Sequence, residues 1–285
     1  MGLLSILFSK KKVAPTPQTD PTATLAQTIY NRLMEKTGKE ILSLRITDET
    51  AGLLESKVGG AYYVPLGSEA PTNQSGKPLY LLAQLNFSEL PPLADFPKQG
   101  LLQFFIDGYD SVYGLNFDAP ANQDNWCIRY LPTLPSEVSE DQICTVPWSE
   151  DTMLPLMRED ALRIEAVLAK QAMTSSDWQI SDTLKACCRD LLPEEFQSVY
   201  DLEDNLFDAW NELCEGFSCQ VGGYPIFTQY DPREDVAGAP DLLLFQLDSG
   251  EHVMWGDSGV ANFFISREDL MNLDFSHVWY NWDCY

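Results

Sequence analysis

The residue types that support nucleophilic or metal chemistry are sparse in this sequence and are not spaced for it. Only two histidines occur, His252 and His277, and neither lies beside a nucleophile motif. The seven cysteines include no Cys-x-x-Cys pair, and the adjacent Cys187 and Cys188 cannot readily share one tetrahedral zinc ion. No P-loop and no Gly-x-Gly-x-x-Gly motif is present. We therefore predict no catalytic residue, no metal and no cofactor.

Carboxylates remain as candidates, and Asp118 and Asp257 stand in the most distinctive surroundings. Asp118 ends the segment DGYDSVYGLNFD, which follows an apolar run typical of a strand. Asp257 lies in WGDSG at 255–259, whose two glycines favour a tight hairpin turn that Asp257 would cap. A second interpretation makes Trp255 the wall and Asp257 the anchor of a ligand cleft. Paired carboxylates could also serve a hydrolase, although chance proximity is expected in so acidic a chain.

The C-terminal segment DFSHVWYNWDCY is dense in aromatic residues. Residues 275–285 contain five of them, including Trp282. Such density indicates either a terminal strand docked in the core or an exposed aromatic patch that binds a partner. Trp282 therefore joins Trp255, Asp257 and Asp118 as a candidate binding residue.

The charge of the chain limits the partners it could have. Against 18 Lys and Arg stand 43 Asp and Glu, which gives a net charge of −25, while 45% of the residues are hydrophobic. Such a composition can form a core, so this is not a disordered acidic tail. The charge argues against nucleic acid as a ligand and is compatible with a basic protein partner. Residues 201–285 hold 17 acidic and 2 basic residues, and we expect a basic partner to bind there.

The first 22 residues differ in character from the rest. Residues 1–12, MGLLSILFSKKK, lack acidic side chains, and residues 13–22 contain three prolines, which is typical of an extended spacer. The apolar stretch is too short to span a bilayer and precedes its lysines, unlike a secretory signal. It is either a weak peripheral membrane anchor or a frayed terminus. Without a signal and with an odd number of cysteines, the chain is expected to be cytoplasmic.

The elements that must position these residues show an internal repeat. Three blocks recur in the same order. The first copy has them at 58–60, 78–86 and 100–106, and the second copy has them at 221–223, 240–248 and 259–265. In each copy a Gly pair precedes two apolar runs bounded by Pro or Gly, which predict buried strands. The lone polar residues of the first runs, Gln84 and Gln246, are predicted to bond a neighbouring backbone, because an unpaired buried amide is costly.

Helical spacing of apolar residues lies between the copies, and it predicts helices within 156–172, 184–192 and 194–215. Strands, then helices, then strands predict an α+β fold. Its β-rich halves would be internally duplicated, with a helical region between them, and packed as one body. We expect a flexible tail at 1–22 and a domain at 23–285. Within the domain, copy one is expected at about 41–150, the helical region at about 151–216 and copy two at about 217–285.

These blocks carry a resemblance to a known family. The stretches SKVGG, GKPLYLLAQLNFSELPPLADFPKQGLLQFFIDGYDSVYGLNFD, VGGYPIFTQYDPR and LLLFQLDSGEHVMWGDSGVANFFI resemble the bacterial YwqG-like family, over residues 40–285. The resemblance implies an α+β fold with a duplication and a soluble intracellular bacterial protein. It does not imply an enzymatic activity, because none is established for the family. Some members are proposed to neutralise toxins that competing bacteria deliver. Many members place a Cys-x-x-Cys pair before the Gly-x-Pro-Leu segment, and this chain has APTNQSGKPL there, without cysteine.

Three functions follow as hypotheses. The first is a non-catalytic acidic protein that binds a basic protein, possibly as immunity to a toxin. The second is a small-molecule or carbohydrate-binding module with a cleft between the two copies. The third is a carboxylate-dependent hydrolase.

Overall fold

The computed structural model describes residues 20–214, 216–234 and 236–285. The predicted anchor at 1–12 and most of the predicted spacer lie outside these ranges. The predicted domain limits stay predictions.

Twelve strands and four α-helices make up the regular structure of the described residues. The strands are β1 Lys39–Thr50, β2 Lys57–Val58, β3 Tyr62–Tyr63, β4 Tyr80–Asn86, β5 Leu101–Ile106, β6 Trp126–Leu131, β7 Ile143–Cys144, β8 Leu162–Gln171, β9 Cys219–Val221, β10 Leu242–Asp248, β11 Val260–Ile265 and β12 Trp279–Asp283. The helices are α1 Pro21–Thr37, α2 Ile180–Cys188, α3 Asp204–Cys214 and α4 Arg267–Asn272. Three single-turn 3₁₀ segments lie at Glu140–Gln142, Arg189–Leu191 and Val199–Asp201.

One antiparallel sheet of ten strands dominates the molecule and curls into a half-barrel. Its order is β12-β11-β10-β9-β1-β8-β2-β4-β5-β6, and β3 pairs with β7 in a separate two-stranded sheet. The long strands β1 and β8 pair at its centre from Lys39↔Gln171 to Thr50↔Leu162. The curl brings the two ends of the sheet together, because Phe104 on β5 lies 4.7 Å from Phe245 on β10 between ring centroids.

The predicted α+β class, with two duplicated β-rich halves separated by a helical region, is wrong. The matched sequence blocks lie in one continuous sheet, and the region between them supplies a central strand of that sheet. Residues 156–172, predicted to be helical, include β8 instead. At the start of β8 burial alternates, with Leu162 and Ile164 facing inwards, as in a half-buried strand. Pairing with β1 outweighs the helical spacing of the alanines.

The predicted buried strands and their glutamines are confirmed. Strand β4 is buried at every position, and so are β5 and β11. The Gln84 amide donates to the carbonyls of Leu53 and Glu55 at 2.8 and 2.7 Å. The Gln246 amide donates to the carbonyl of Phe217 at 2.6 Å. Each glutamine thus holds a neighbouring loop against the sheet.

Helices α1, α2 and α3 form a second core at one end of the central strands. Apolar side chains from all three meet there, such as Ile29, Leu184 and Trp210. The helices are joined to the sheet at Thr37, whose carbonyl accepts a 2.8 Å bond from the Tyr224 hydroxyl. In the part of the chain that the structure describes, no helix combines the length and the apolar character that a bilayer crossing requires.

Candidate functional site

The loop between β5 and β6, residues 107–125, is shaped by turns that aspartate and asparagine side chains close. Asp110 accepts a 2.7 Å bond from the backbone N–H of Val112. Asn116 accepts 3.1 Å bonds from the N–H groups of Asp118 and Ala119. Short polar side chains close such turns by bonding the backbone a few residues on. The loop therefore has a defined path without regular secondary structure.

A cavity of about 340 Å³ opens under this loop. Its lining is rich in carboxylates and carboxamides: Asp110, Asp118, Asp124, Asn116, Asn122 and Asn125. No basic side chain is among the described residues that line it. Asp118 is exposed, and the neighbouring Phe117 is 68% exposed. The cavity thus offers negative charge beside an uncovered aromatic ring.

A second cavity, of about 250 Å³, shares Phe117 with the first. It is also lined by Tyr230, which is 70% exposed, and by Trp282 and Asp283. The Trp282 indole N–H donates to the carbonyl of Val112 at 2.9 Å, which fixes β12 against the loop. We call the surface formed by both cavities the acidic aromatic face. Its members are Asp110, Phe117, Asp118, Asp124, Tyr230, Trp282 and Asp283.

Trp255 lies behind this face and not on it. Its side chain is fully buried, 6.0 Å from the ring of Trp282 and 5.4 Å from the ring of Tyr113 between centroids. Tyr113 also contacts Trp282, with centroids 5.0 Å apart. Trp255 therefore supports Trp282 from within the core and cannot contact a ligand at the surface without rearrangement.

Asp257 lies at the tip of the predicted tight turn, which the structure contains. The Gly259 N–H donates to the Trp255 carbonyl at 2.7 Å and closes the turn. A Cβ at Gly259 would lie 1.9 Å from the Asp283 carbonyl oxygen, so only glycine permits this approach of β12. Asp257 is exposed, and its backbone carbonyl accepts a bond from the Tyr285 N–H at 3.1 Å. The structure thus brings Asp118 and Trp282 to one face and places Asp257 on the turn beside the C-terminus.

Two carboxylates near β12, those of Asp248 and Asp283, ionise less readily than usual. Burial raises the pKa of Asp248 to about 6, with a bond from the Ser249 N–H opposing the rise and the negative charge of Asp283 adding to it. Burial also raises the pKa of Asp283, although bonds from the N–H groups of Thr228 and Gln229 oppose this change. A carboxylate that is hard to ionise gains from a nearby cation. This region would therefore favour a basic ligand over an acidic one.

The two histidines lie apart from the acidic aromatic face. His252 is 3.9 Å from the Asp48 carboxylate between Nε2 and Oδ1. His277 lies with Asp269 and Asp274, and donor atoms of these three side chains are within 4.8 Å of one another. They are the side chains among the described residues that could hold a cation, and all three are at least partly exposed. An exposed cluster of this kind does not by itself indicate a metal.

Five of the seven residues of the face were not among the candidates from sequence, and the aromatic ones are Phe117 and Tyr230. Both lie in stretches that carry the family resemblance, but no periodic pattern marks either side chain as exposed. Phe117 directly precedes Asp118 in the chain, so the neighbourhood of a candidate carboxylate was the available signal.

Comparison with known proteins gives a family whose function is unknown. A model of the family described as a domain of unknown function, DUF1963, matches residues 56–284. The match covers β2 to β12 and all four candidate residues, and it leaves α1 and β1 outside. No curated protein matches the chain. The chain therefore belongs to the DUF1963 family, a domain of unknown function.

Proposed function

We propose that this chain is a non-catalytic binding protein whose acidic aromatic face engages a basic protein partner. The observation that supports this most directly is the pairing of exposed Phe117 with exposed Asp118 beside a cavity lined by carboxylates. Water-exposed aromatic rings next to unneutralised carboxylates match the chemistry of arginine and lysine side chains. The net charge of −25 would speed the approach of such a partner.

Recognition at this face would use two kinds of contact. A guanidinium group can lie over the ring of Phe117 or Tyr230, which contributes about 0.5–2 kcal/mol as a cation–π interaction. The same group can donate two parallel hydrogen bonds to the carboxylate of Asp118. Trp282 provides a rigid floor, because its indole is bonded to the loop and packed on Trp255.

The finer part of the proposal concerns the setting in which this binding occurs. The resemblance to the YwqG-like family supports a bacterial, cytoplasmic protein whose basic partner is a toxin. Membership of DUF1963 is compatible with that assignment and does not name a partner.

The two alternatives have less support from the geometry. For the hydrolase, Asp118 lines the first cavity whereas Asp257 lines neither cavity of the face. For a ligand cleft walled by Trp255 or Trp282, Trp255 is fully buried and Trp282 alone reaches a cavity.

A paired substitution tests the proposal. Phe117→Ser with Asp118→Asn removes one exposed ring and one charge, and Leu66→Ser with Glu69→Gln removes an exposed apolar side chain and one charge elsewhere. We expect the first pair to weaken binding of a short oligo-arginine peptide about tenfold, since about 1.4 kcal/mol is lost. The control pair should change it less than about twofold. Equal losses in isothermal titration would show that only overall charge matters and would overturn the proposed site.

A further inference from the structure

A cleft of about 350 Å³, separate from the two cavities of the acidic aromatic face, lies between the helical layer and the segment that follows β9. Its walls come from the turn before α2, the 3₁₀ turn Val199–Asp201, helix α3 and residues 227–234. Most of its polar lining consists of neutral hydroxyl and carboxamide groups: Ser175, Ser176, Ser181, Ser198, Asn211 and Gln229. We call it the hydroxyl cleft. Such groups both donate and accept hydrogen bonds without carrying charge.

Three aromatic side chains stand around the hydroxyl cleft with their rings open to solvent. Trp178 is 45% exposed, Tyr200 is 82% exposed and Tyr230 is 70% exposed. Single exposed aromatic residues are ordinary on protein surfaces, but three around one polar cleft form a patch. Phe207 extends this surface, with its ring centroid 6.0 Å from that of Tyr200.

Arg233 offsets part of the charge of the buried carboxylates of the cleft. Arg233 is 4% exposed, and its guanidinium donates to both oxygens of Asp231, at 2.9 and 2.6 Å. It also donates to Asp177 at 3.2 Å. The single charge of the arginine opposes one of the two negative charges, and every oxygen of both carboxylates accepts a hydrogen bond within the wall, so neither carboxylate is free to bind a ligand. Glu234, exposed on the rim, is the remaining charged group of the described lining.

Hydrogen bonds hold the walls of the cleft in place. The backbone N–H of Trp178 donates to the Asp231 carboxylate at 3.4 Å, which links the turn before α2 to the opposite wall. The Val199 N–H donates to the Ser181 hydroxyl at 3.3 Å, and the Ser175 hydroxyl donates to the Asn211 carboxamide. A cleft with fixed walls loses little entropy when a ligand enters.

We infer that the hydroxyl cleft binds a neutral carbohydrate. A sugar ring has an apolar face of C–H groups that can stack on Trp178, Tyr200 or Tyr230. Its rim of hydroxyls can exchange hydrogen bonds with the serines, Asn211 and Gln229. The volume is near the lower end for small-ligand sites, which suits a mono- or disaccharide. This site is separate from the proposed protein-binding function and rests on different residues, apart from Tyr230 and Gln229, which line cavities on both sides.

The test uses the full chain and a panel of neutral mono- and disaccharides, with adenine as a flat aromatic probe that carries no sugar. Saturation-transfer NMR and isothermal titration measure binding to the unaltered chain and to Trp178→Ala, Tyr200→Ala and Tyr285→Ala. Tyr285 is as exposed as Tyr200, at 82%, and does not line the cleft, so it is the matched control. We expect saturable binding of at least one saccharide, weakened about tenfold in the two cleft variants and unchanged in the control.

Three results would overturn the inference. The first is that no saccharide of the panel shows saturable binding to the folded chain. The second is that Tyr285→Ala weakens binding as much as Tyr200→Ala. The third is that adenine binds and the sugars do not, which would assign the cleft to planar rings.

Discussion

Carboxylates lie at both the acidic aromatic face and the hydroxyl cleft, and the two sets differ in what surrounds them. At the face, Asp118 is exposed in a cavity without a basic group in its described lining. In the cleft, Asp177 and Asp231 are buried against Arg233. A net charge of −25 therefore does not describe the whole surface evenly. Negative charge is available to a ligand at the face, whereas in the cleft Arg233 offsets part of it and binds the buried carboxylates.

This difference indicates that the two sites suit ligands of opposite character. An uncompensated carboxylate attracts cations over several ångströms, and the strength of this attraction falls as the salt concentration rises. A compensated pair contributes rigidity and little long-range field, so stacking and hydrogen bonds decide what binds. The experiments below test the two halves of this contrast, in order of expected effect.

Removal of Arg233 should have the largest effect. Arg233→Met leaves Asp177 and Asp231 buried without their cation, and burial already raises the pKa of Asp177. Breaking a buried ion pair from one side costs about 3–5 kcal/mol of unfolding free energy. Urea denaturation at pH 7 measures this loss.

The exposed pair Arg267–Asp95 provides the control, since its atoms are 2.6 Å apart but the arginine side chain is 64% exposed. Arg267→Met should cost at most about 1 kcal/mol. If Arg233→Met also lost under about 1 kcal/mol, the carboxylates of the cleft would not be compensated in the way described.

Asp248→Asn should stabilise the chain, and only above acidic pH. The folded pKa of about 6 exceeds the ordinary value of 3.8 for this carboxyl, so the folded state binds this proton more tightly. The ionisation penalty is therefore absent below pH 4, grows between pH 4 and 6, and is complete above pH 6. Partial exposure limits it to about 1–2 kcal/mol at pH 7.

Urea denaturation of Asp248→Asn at pH 7 and at pH 3.5 checks this sign. Asp257→Asn, which alters an exposed carboxylate, should leave stability nearly unchanged at both values. A gain at pH 3.5 as large as the gain at pH 7 would contradict strain from ionisation.

The salt dependence of ligand binding should differ between the two sites, with a smaller effect than the substitutions above. A rise from about 0.05 to 0.5 M NaCl should weaken binding of the oligo-arginine peptide about fivefold, because screening shortens the reach of exposed charges. Binding of a neutral saccharide to the hydroxyl cleft should change less than about twofold. Titrations of both probes at the two salt concentrations measure the contrast, and equal salt dependence would remove it.

The parts of the fold that sequence predicts correctly are those whose local signal is unambiguous. Strands β4, β5, β10 and β11 are apolar runs bounded by Pro or Gly, and they are strands. Residues 162–171 have mixed periodicity, and their state depends on β1, which is distant in sequence. Local sequence patterns do not reveal such a distant partner. The helix prediction therefore fails at these residues, and the predicted fold class is wrong for the same reason.

Prediction of the site is limited by a similar cause. Asp118 and Trp282 are recognisable because unusual motifs contain them, and the fold brings both to one face. Trp255 is equally conspicuous in sequence but is buried, because burial depends on packing from β12 and Tyr113. Tyr230 and Arg233 lie in the stretch VGGYPIFTQYDPR, but the motif does not reveal their distant neighbours, such as Asp177 for Arg233.

The pairing of β1 with β8 also has a consequence for the order in which the protein can form. Strand β1 at 39–50 has its longest partner at 162–171 and its other partner at 219–221. During synthesis at about 5–20 residues per second, β1 waits several seconds for β8 to leave the ribosome. Non-local pairing of this kind also slows folding. The centre of the sheet is therefore among the later regions to close, and a nascent chain that ends before β8 exposes both edges of β1.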